Sequence, residues 1–72
     1  MKVQIRLDTL HDVQDFVRIA TAMHGNIFIT DGNGLKVSAK SLLGAVYAME
    51  FDELWCESDE DIYRNISDFI VI

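Results

Sequence analysis

The sequence predicts an α+β fold, an open-faced sandwich in which helices cover one face of a four-stranded antiparallel sheet. Apolar and polar residues alternate at the start of the chain with the period of a strand. Further on, apolar residues recur with the period of a helix, and a glycine-rich turn separates two short apolar runs. Helices that each bury one apolar stripe can share one face of a sheet, so the predicted order is β-α-β-β-α-β-α.

The first strand and the first helix lie next to each other in the sequence. The strand has its apolar positions at Val3, Ile5 and Leu7. Thr9 is placed to cap the helix, and Asp12 follows three residues later as in a capping box. Helical spacing of apolar residues predicts a helix over about residues 10–24, with Gly25 as a left-handed residue after its end.

A hairpin and a short second helix occupy the middle of the chain. The runs NIFIT and LKVSA are typical of strands, and DGNG between them favours a tight turn because Gly32, Asn33 and Gly34 tolerate positive φ. Ser41 is placed to cap the second helix. The apolar residues of that helix are Leu42, Leu43, Val46, Tyr47 and Met49.

The last part of the chain predicts a strand and a third helix. The run ELWCE is a short strand in which Trp55 and Cys56 point to opposite faces. Ser58 then resembles a helix cap, because three carboxylates follow it where a first turn favours negative charge. One helical face would carry Ile62, Ile66, Phe69 and Ile70.

Composition limits the possible functions. The 72 residues predict one domain spanning 1–72, and the single cysteine excludes an internal disulfide. No apolar run approaches the roughly 20 residues of a membrane span, and the start of the chain is unlike a signal peptide, so we expect a cytoplasmic protein. The net charge of −6 disfavours nucleic acid and anionic membranes as partners. It favours a protein partner with a basic face.

The stretch VSAKSLLG, set within this order of elements, resembles the histidine-containing phosphocarrier (HPr) family of the bacterial sugar phosphotransferase system. That family has a Val-Asn-X-Lys-Ser-Ile-Met-Gly pattern where its second helix begins. Val37, Lys40, Ser41 and Gly44 match the pattern, and two leucines replace its other apolar residues. The resemblance implies the HPr-like βαββαβα arrangement, with three helices on one face of the sheet.

The family carries its phosphoryl group on a histidine at the start of the first helix, in a His-Ala-Arg-Pro sequence. Counting back from the second strand places Thr9 at that position, and neither the arginine nor the proline is present. The resemblance therefore implies a member that lacks the usual carrier histidine. The alternative is a phosphocarrier that uses His11, but the neighbouring carboxylates of Asp8, Asp12 and Asp15 would repel an incoming phosphate.

The family's second site is the serine that corresponds to Ser41. In relatives, an HPr-type kinase phosphorylates it, and the modified protein binds a transcription regulator of carbon catabolite repression. Two interpretations of Ser41 stay open: a helix cap without regulation, and a phosphorylated switch with the positive charge of Lys40 nearby.

The resemblance also implies a partner-binding surface on the second helix, formed by Lys40, Leu42, Leu43, Val46 and Tyr47. The partner would be the kinase, the regulator or another phosphotransferase component. A short helix cannot bury all four apolar residues, and ordinary packing is expected to take at least half of them. A third hypothesis is an assembly module that keeps only the fold, and the oligomeric state stays open.

The sequence contains no nucleophile–base set, no phosphate-binding glycine loop and no cluster of metal ligands. His24 is expected to stabilise the end of the first helix. We therefore expect no enzymatic activity, no cofactor and no metal.

Overall fold

The computed structural model describes all residues from Met1 to Ile72 and has an α+β fold with two α-helices. All pairs of neighbouring strands are antiparallel, as predicted. Neither helix is long and apolar enough to cross a lipid bilayer. In chain order the elements are β1 (Lys2–Ile5), α1 (Leu10–Thr21), β2 (Ile27–Thr30), β3 (Lys36–Ser38), α2 (Leu42–Ala48), β4 (Leu54–Ser58) and a 3₁₀ helix (Ser67–Phe69).

The strand order is β1–β4–β2–β3, which places β4 between β1 and β2. Cys56 lies opposite Val3 of β1 and Ile29 of β2, and its side chain is fully buried beneath the helices. Its neighbour Trp55 lies on the other face of the sheet, where Lys2 stands over its ring at 5.6 Å from the centroid. The alternation predicted for this strand is therefore confirmed.

The start of α1 is confirmed, but its end is three residues earlier than predicted. Thr9 Oγ1 accepts the amide of Asp12 at 3.1 Å, and Asp12 Oδ2 accepts the amide of Thr9 at 3.2 Å, which completes the capping box. The helix ends at Thr21, and Gly25 lacks positive φ, so the predicted left-handed end is wrong. His24 lies in the loop beyond the helix and not in its last turn.

The DGNG turn forms as predicted. Gly32 has a φ of 81° and Gly34 has a φ of 112°, and these are the two residues of the chain with positive φ. Asp31 Oδ1 accepts the amide of Asn33 at 2.7 Å and the amide of Leu35 at 3.1 Å, so the aspartate organises the turn that joins β2 to β3.

The predicted third helix is not formed. Ser58 belongs to β4 instead, where its amide donates to the Met1 carbonyl at 2.9 Å and its side chain donates to the Glu60 carbonyl. Ile62 and Ile66 are both buried, as the spacing predicts, but they are joined by a single turn. A 3₁₀ helix of three residues follows. Three carboxylates at a possible helix start are therefore not sufficient to form an α-helix.

The residues after this turn cover the outer edge of β1. Ile70 pairs with Ile5 in an antiparallel bridge. The amide of Arg6 donates to the Phe69 carbonyl at 2.8 Å, and the amide of Val71 donates to the Gln4 carbonyl at 3.0 Å. The open edge of the sheet is therefore the short strand β3 alone.

Candidate functional site

Ser41 positions the start of α2, as the sequence predicts. Its backbone is extended, and its Oγ accepts the amide of Gly44 at 3.1 Å while its carbonyl accepts the amide of Ala45 at 2.9 Å. A Cβ on Gly44 would lie 3.3 Å from Ser41 Oγ and 3.4 Å from the Cβ of Val37. The absence of a side chain at Gly44 therefore allows the serine and the end of β3 to approach the first turn of the helix.

The outward side of α2 is apolar and exposed. We define the α2 face as its four large apolar residues, whose exposed fractions are 47% for Leu42, 81% for Leu43, 37% for Val46 and 57% for Tyr47. The expectation that packing would bury at least half of them is wrong. The helix instead contacts the core through Ala45 and Ala48, which are fully buried.

The small size of these two alanines explains the exposure of the larger side chains. Ala45 and Ala48 stand three residues apart, so they occupy the same side of the helix. A side without bulky groups can approach the sheet closely, which turns the larger residues outward. The sequence contains this signal as two alanines three residues apart, but hydrophobicity alone does not show which residues of the helix face the core.

Tyr47 is held in place on the α2 face by an aromatic contact. Its ring meets the ring of Phe51 edge-on, with centroids 5.8 Å apart and planes at 86°. Phe51 is half-buried and packs against the core. The tyrosine therefore presents a large, fixed contact surface to solvent.

Lys40 is half-buried and has a structural contact of its own. Its Nζ donates to the Met23 carbonyl at 2.7 Å, just beyond the end of α1. A cation at this position complements the negative end of the helix dipole, a role that the sequence assigned to His24. The charge of Lys40 is thus engaged beside α1 and is not freely directed at Ser41.

The α2 face ends in carboxylates. Glu50 comes one turn after Val46 and Tyr47, and its amide donates to the Tyr47 carbonyl at 3.1 Å. Glu50 and Asp52 are exposed, and neither carboxylate takes part in an ion pair or a hydrogen bond. The sequence signal for Glu50 is its spacing of three residues from Tyr47, which places it on the same stripe.

His11 lies in the first turn of α1, but its ring is directed along the helix. Its Nε2 is 3.1 Å from Asp15 Oδ2, and Asp15 also accepts a hydrogen bond from Arg18 at 2.7 Å. The imidazole is 79% exposed. It is therefore accessible, with a carboxylate against one of the two nitrogens that a phosphoryl group would use.

The other groups with reactive potential do not converge. No group of three or more His, Cys, Asp or Glu side chains is placed to hold a metal ion. Burial raises the pKa of the Cys56 thiol from 9.0 to about 11, which disfavours the thiolate that nucleophilic chemistry needs. The exposed apolar side chains, by contrast, are concentrated on α2.

No protein-family model, curated protein or solved structure matches the chain. A function is therefore inferred from the residues around α2 and their chemistry.

Proposed function

We propose that this chain is an HPr-like protein-binding domain, related to the regulatory members of the sugar phosphotransferase system, that docks partners through the α2 face and does not carry phosphohistidine. The observation that carries the proposal is the exposure of all four large apolar residues on one short helix. A contiguous apolar patch that is exposed to water commonly marks an interaction site. Ser41 caps the same helix, so a modification there would alter the docking surface directly.

Ser41 is an accessible phosphorylation site in this proposal. The side chain is exposed, and its oxygen makes one hydrogen bond, as acceptor from Gly44. A phosphate at this position would add negative charge beside Leu42, at the opposite end of the α2 face from Glu50. Phosphorylation would thus change which partners the surface accepts without a change of fold.

The first six elements support the family assignment. They follow the order β-α-β-β-α-β on one antiparallel sheet, and the VSAKSLLG stretch leads from β3 into α2 as in the family pattern. The seventh element departs from it, since a single turn and a 3₁₀ helix replace the expected third helix. The proposal therefore extends the family's regulatory role to a chain with a different C-terminal segment.

The carrier alternative would use His11. Its exposure favours access by a phosphoryl donor, whereas the Asp15 carboxylate at 3.1 Å repels the charge that must arrive. Incubation with phosphoenolpyruvate and the first enzyme of the system, followed by mass measurement, tests it. An acid-labile phosphate that disappears in His11→Ala, but not in His24→Ala, would establish the carrier and overturn our proposal.

The switch is tested by incubation with an HPr serine kinase and ATP, followed by intact-mass measurement. We expect one added phosphate on the wild type and on Ser38→Ala, and none on Ser41→Ala. Ser38 is a matched control because it is exposed and accepts a backbone amide, that of Lys40 at 3.2 Å. Absence of phosphate from the wild type would reduce Ser41 to a helix cap.

A further inference from the structure

The α2 face continues beyond the helix into a carboxylate end. Three hydrogen bonds of the i+3 type follow the last helical residues, from the amides of Met49, Glu50 and Phe51 to the carbonyls of Val46, Tyr47 and Ala48, at 3.0–3.1 Å. In such a turn, side chains three residues apart lie above one another. Glu50 therefore stands directly after Tyr47 on the exposed stripe.

No cation compensates this carboxylate end. The twelve residues from Leu42 to Glu53 contain three acidic residues and no basic one. Three cations are paired elsewhere, Arg6 with Asp8, Arg18 with Asp15 and Lys36 with Glu57. Glu53 Oε2 accepts the indole N–H of Trp55 at 3.2 Å, which leaves Glu50 and Asp52 as the unpaired carboxylates in the segment between α2 and β4. We call these two residues the carboxylate pair.

We infer that the partner is an amphipathic protein segment whose apolar side chains cover the α2 face and whose Lys or Arg side chains meet the carboxylate pair. This inference rests on the proposed function and specifies the chemistry of its partner. Charge complementarity orients such a segment, because its cations favour the C-terminal end of α2, where the negative pole of the helix dipole lies and the carboxylate pair follows in the chain. An exposed tyrosine at this end also offers a cation its ring face.

The same charges disfavour the other occupants of an apolar face. A second copy of this chain would bring a further net charge of −6 and another carboxylate pair against the first. An anionic membrane surface would be repelled for the same reason. A basic amphipathic segment is the occupant for which both the apolar residues and the carboxylates find a complement.

The test uses two designed helical peptides of about 14 residues, roughly four turns, with leucine on one face. One peptide has lysine on its polar face and the other has glutamate. Binding to the ¹⁵N-labelled chain is followed by amide chemical shifts. We expect the lysine peptide to bind and to shift residues 42–52, and the glutamate peptide to bind far more weakly.

Matched variants separate local recognition from net charge. Glu50→Gln with Asp52→Asn removes two negative charges between α2 and β4, and Glu60→Gln with Asp61→Asn removes two beyond the opposite end of β4. All four carboxylates are exposed. The loss of two exposed ion pairs should raise the dissociation constant of the lysine peptide about fivefold. We expect this increase only for Glu50→Gln with Asp52→Asn.

Leu43→Ser separates the inference from the proposed function. Suppose that Leu43→Ser abolishes binding and that both peptides bind the wild type equally. The α2 face is then a docking surface, but the carboxylates do not select its partner, and the inference is wrong. Equal weakening in both charge variants, or a wild-type dimer that Leu43→Ser dissociates, also overturns it. Unchanged binding of the lysine peptide by Leu43→Ser would overturn both proposals.

Discussion

Cys56 is fully buried in the central strand, and its ionisation is coupled to folding. Burial places the thiol among apolar neighbours that cannot solvate a thiolate, which raises its pKa from 9.0 to about 11. The folded chain therefore holds the thiol proton more tightly than the unfolded chain does. This difference makes the free energy of unfolding depend on pH in the alkaline range.

The stability of the wild type is expected to fall between pH 9 and about pH 11. Below that range the thiol is protonated in both states, so its contribution is fully present. Within the range only the unfolded chain loses the proton, and two pKa units correspond to about 3 kcal/mol at most. Urea unfolding of wild type and Cys56→Ala across this range checks the prediction. An equally steep decline in the variant would assign the loss to other groups.

Ser41 contributes to stability whether or not it is modified. Its side chain satisfies the amide of Gly44, so Ser41→Ala should lower the free energy of unfolding by about 1 kcal/mol. Ser41→Asp keeps an acceptor of the same reach and should leave the stability close to that of the wild type. Equilibrium denaturation measures both variants, and an equal loss in both would show that the cap hydrogen bond is not the cause.

The two helices bury their inner sides in different ways. The side of α1 toward the core includes Val13 and Phe16, large residues that anchor the helix against the sheet. The side of α2 has only alanines, so its packing tolerates no added volume. The apolar character of α2 thus resides mainly where the helix faces water.

Ala45→Leu should destabilise the fold by about 1–3 kcal/mol, because three added carbon atoms must enter a closely packed interface between α2 and the sheet. Val46→Leu is the matched control one residue later, on the exposed side, and should change stability by less than about 0.5 kcal/mol. Thermal or urea unfolding compares them. Similar effects at both positions would contradict the assignment of the inner and outer sides of α2.

Local signals predicted the strands, the capped starts of both helices and the hairpin, since each depends on neighbouring residues. Thr9, Ser41 and the two turn glycines adopt the roles that their chemistry favours. The segment after Ser58 differs because its local preference for a helix competes with pairing to a distant strand. The outer edge of β1 needs backbone partners, and pairing Ile70 with Ile5 removes those residues from a helix.

The exposure of the α2 face could not be predicted from the hydrophobic pattern of the sequence. The sequence identified the four residues of the α2 face as candidates for partner binding, and the structure brings them together on one surface. The sequence did not reveal which of these residues would stay exposed, because their exposure depends on how closely the helix approaches the sheet. The role of Lys40 beside Met23 was hidden in the same way, by a contact across seventeen residues of sequence.

At the scale of the whole molecule, the chain carries an excess of negative charge. The chain has twelve acidic residues and six basic ones. Folding brings the excess negative charges closer together, and their repulsion destabilises the folded state. Salt screens such repulsion at distances beyond about 10 Å at 0.1 M ionic strength. We therefore expect the free energy of unfolding to increase between 10 mM and 200 mM NaCl, on the order of the few tenths of a kcal/mol that exposed charges contribute. Glu60→Gln with Asp61→Asn should reduce that increase, and a decrease with salt in the wild type would show that attractive ion pairs predominate.

The register of β1 also sets an order of assembly. Lys2 pairs with Glu57, and Ile5 pairs with Leu54 and Ile70, so every partner of this strand lies about fifty residues or more along the chain. β2 and β3, by contrast, meet across a short turn. Loop closure slows the pairing of distant segments, so we expect the hairpin to form early and β1 to join the sheet late. During synthesis β1 must therefore stay unpaired until about fifty further residues, as far as β4, have left the ribosome.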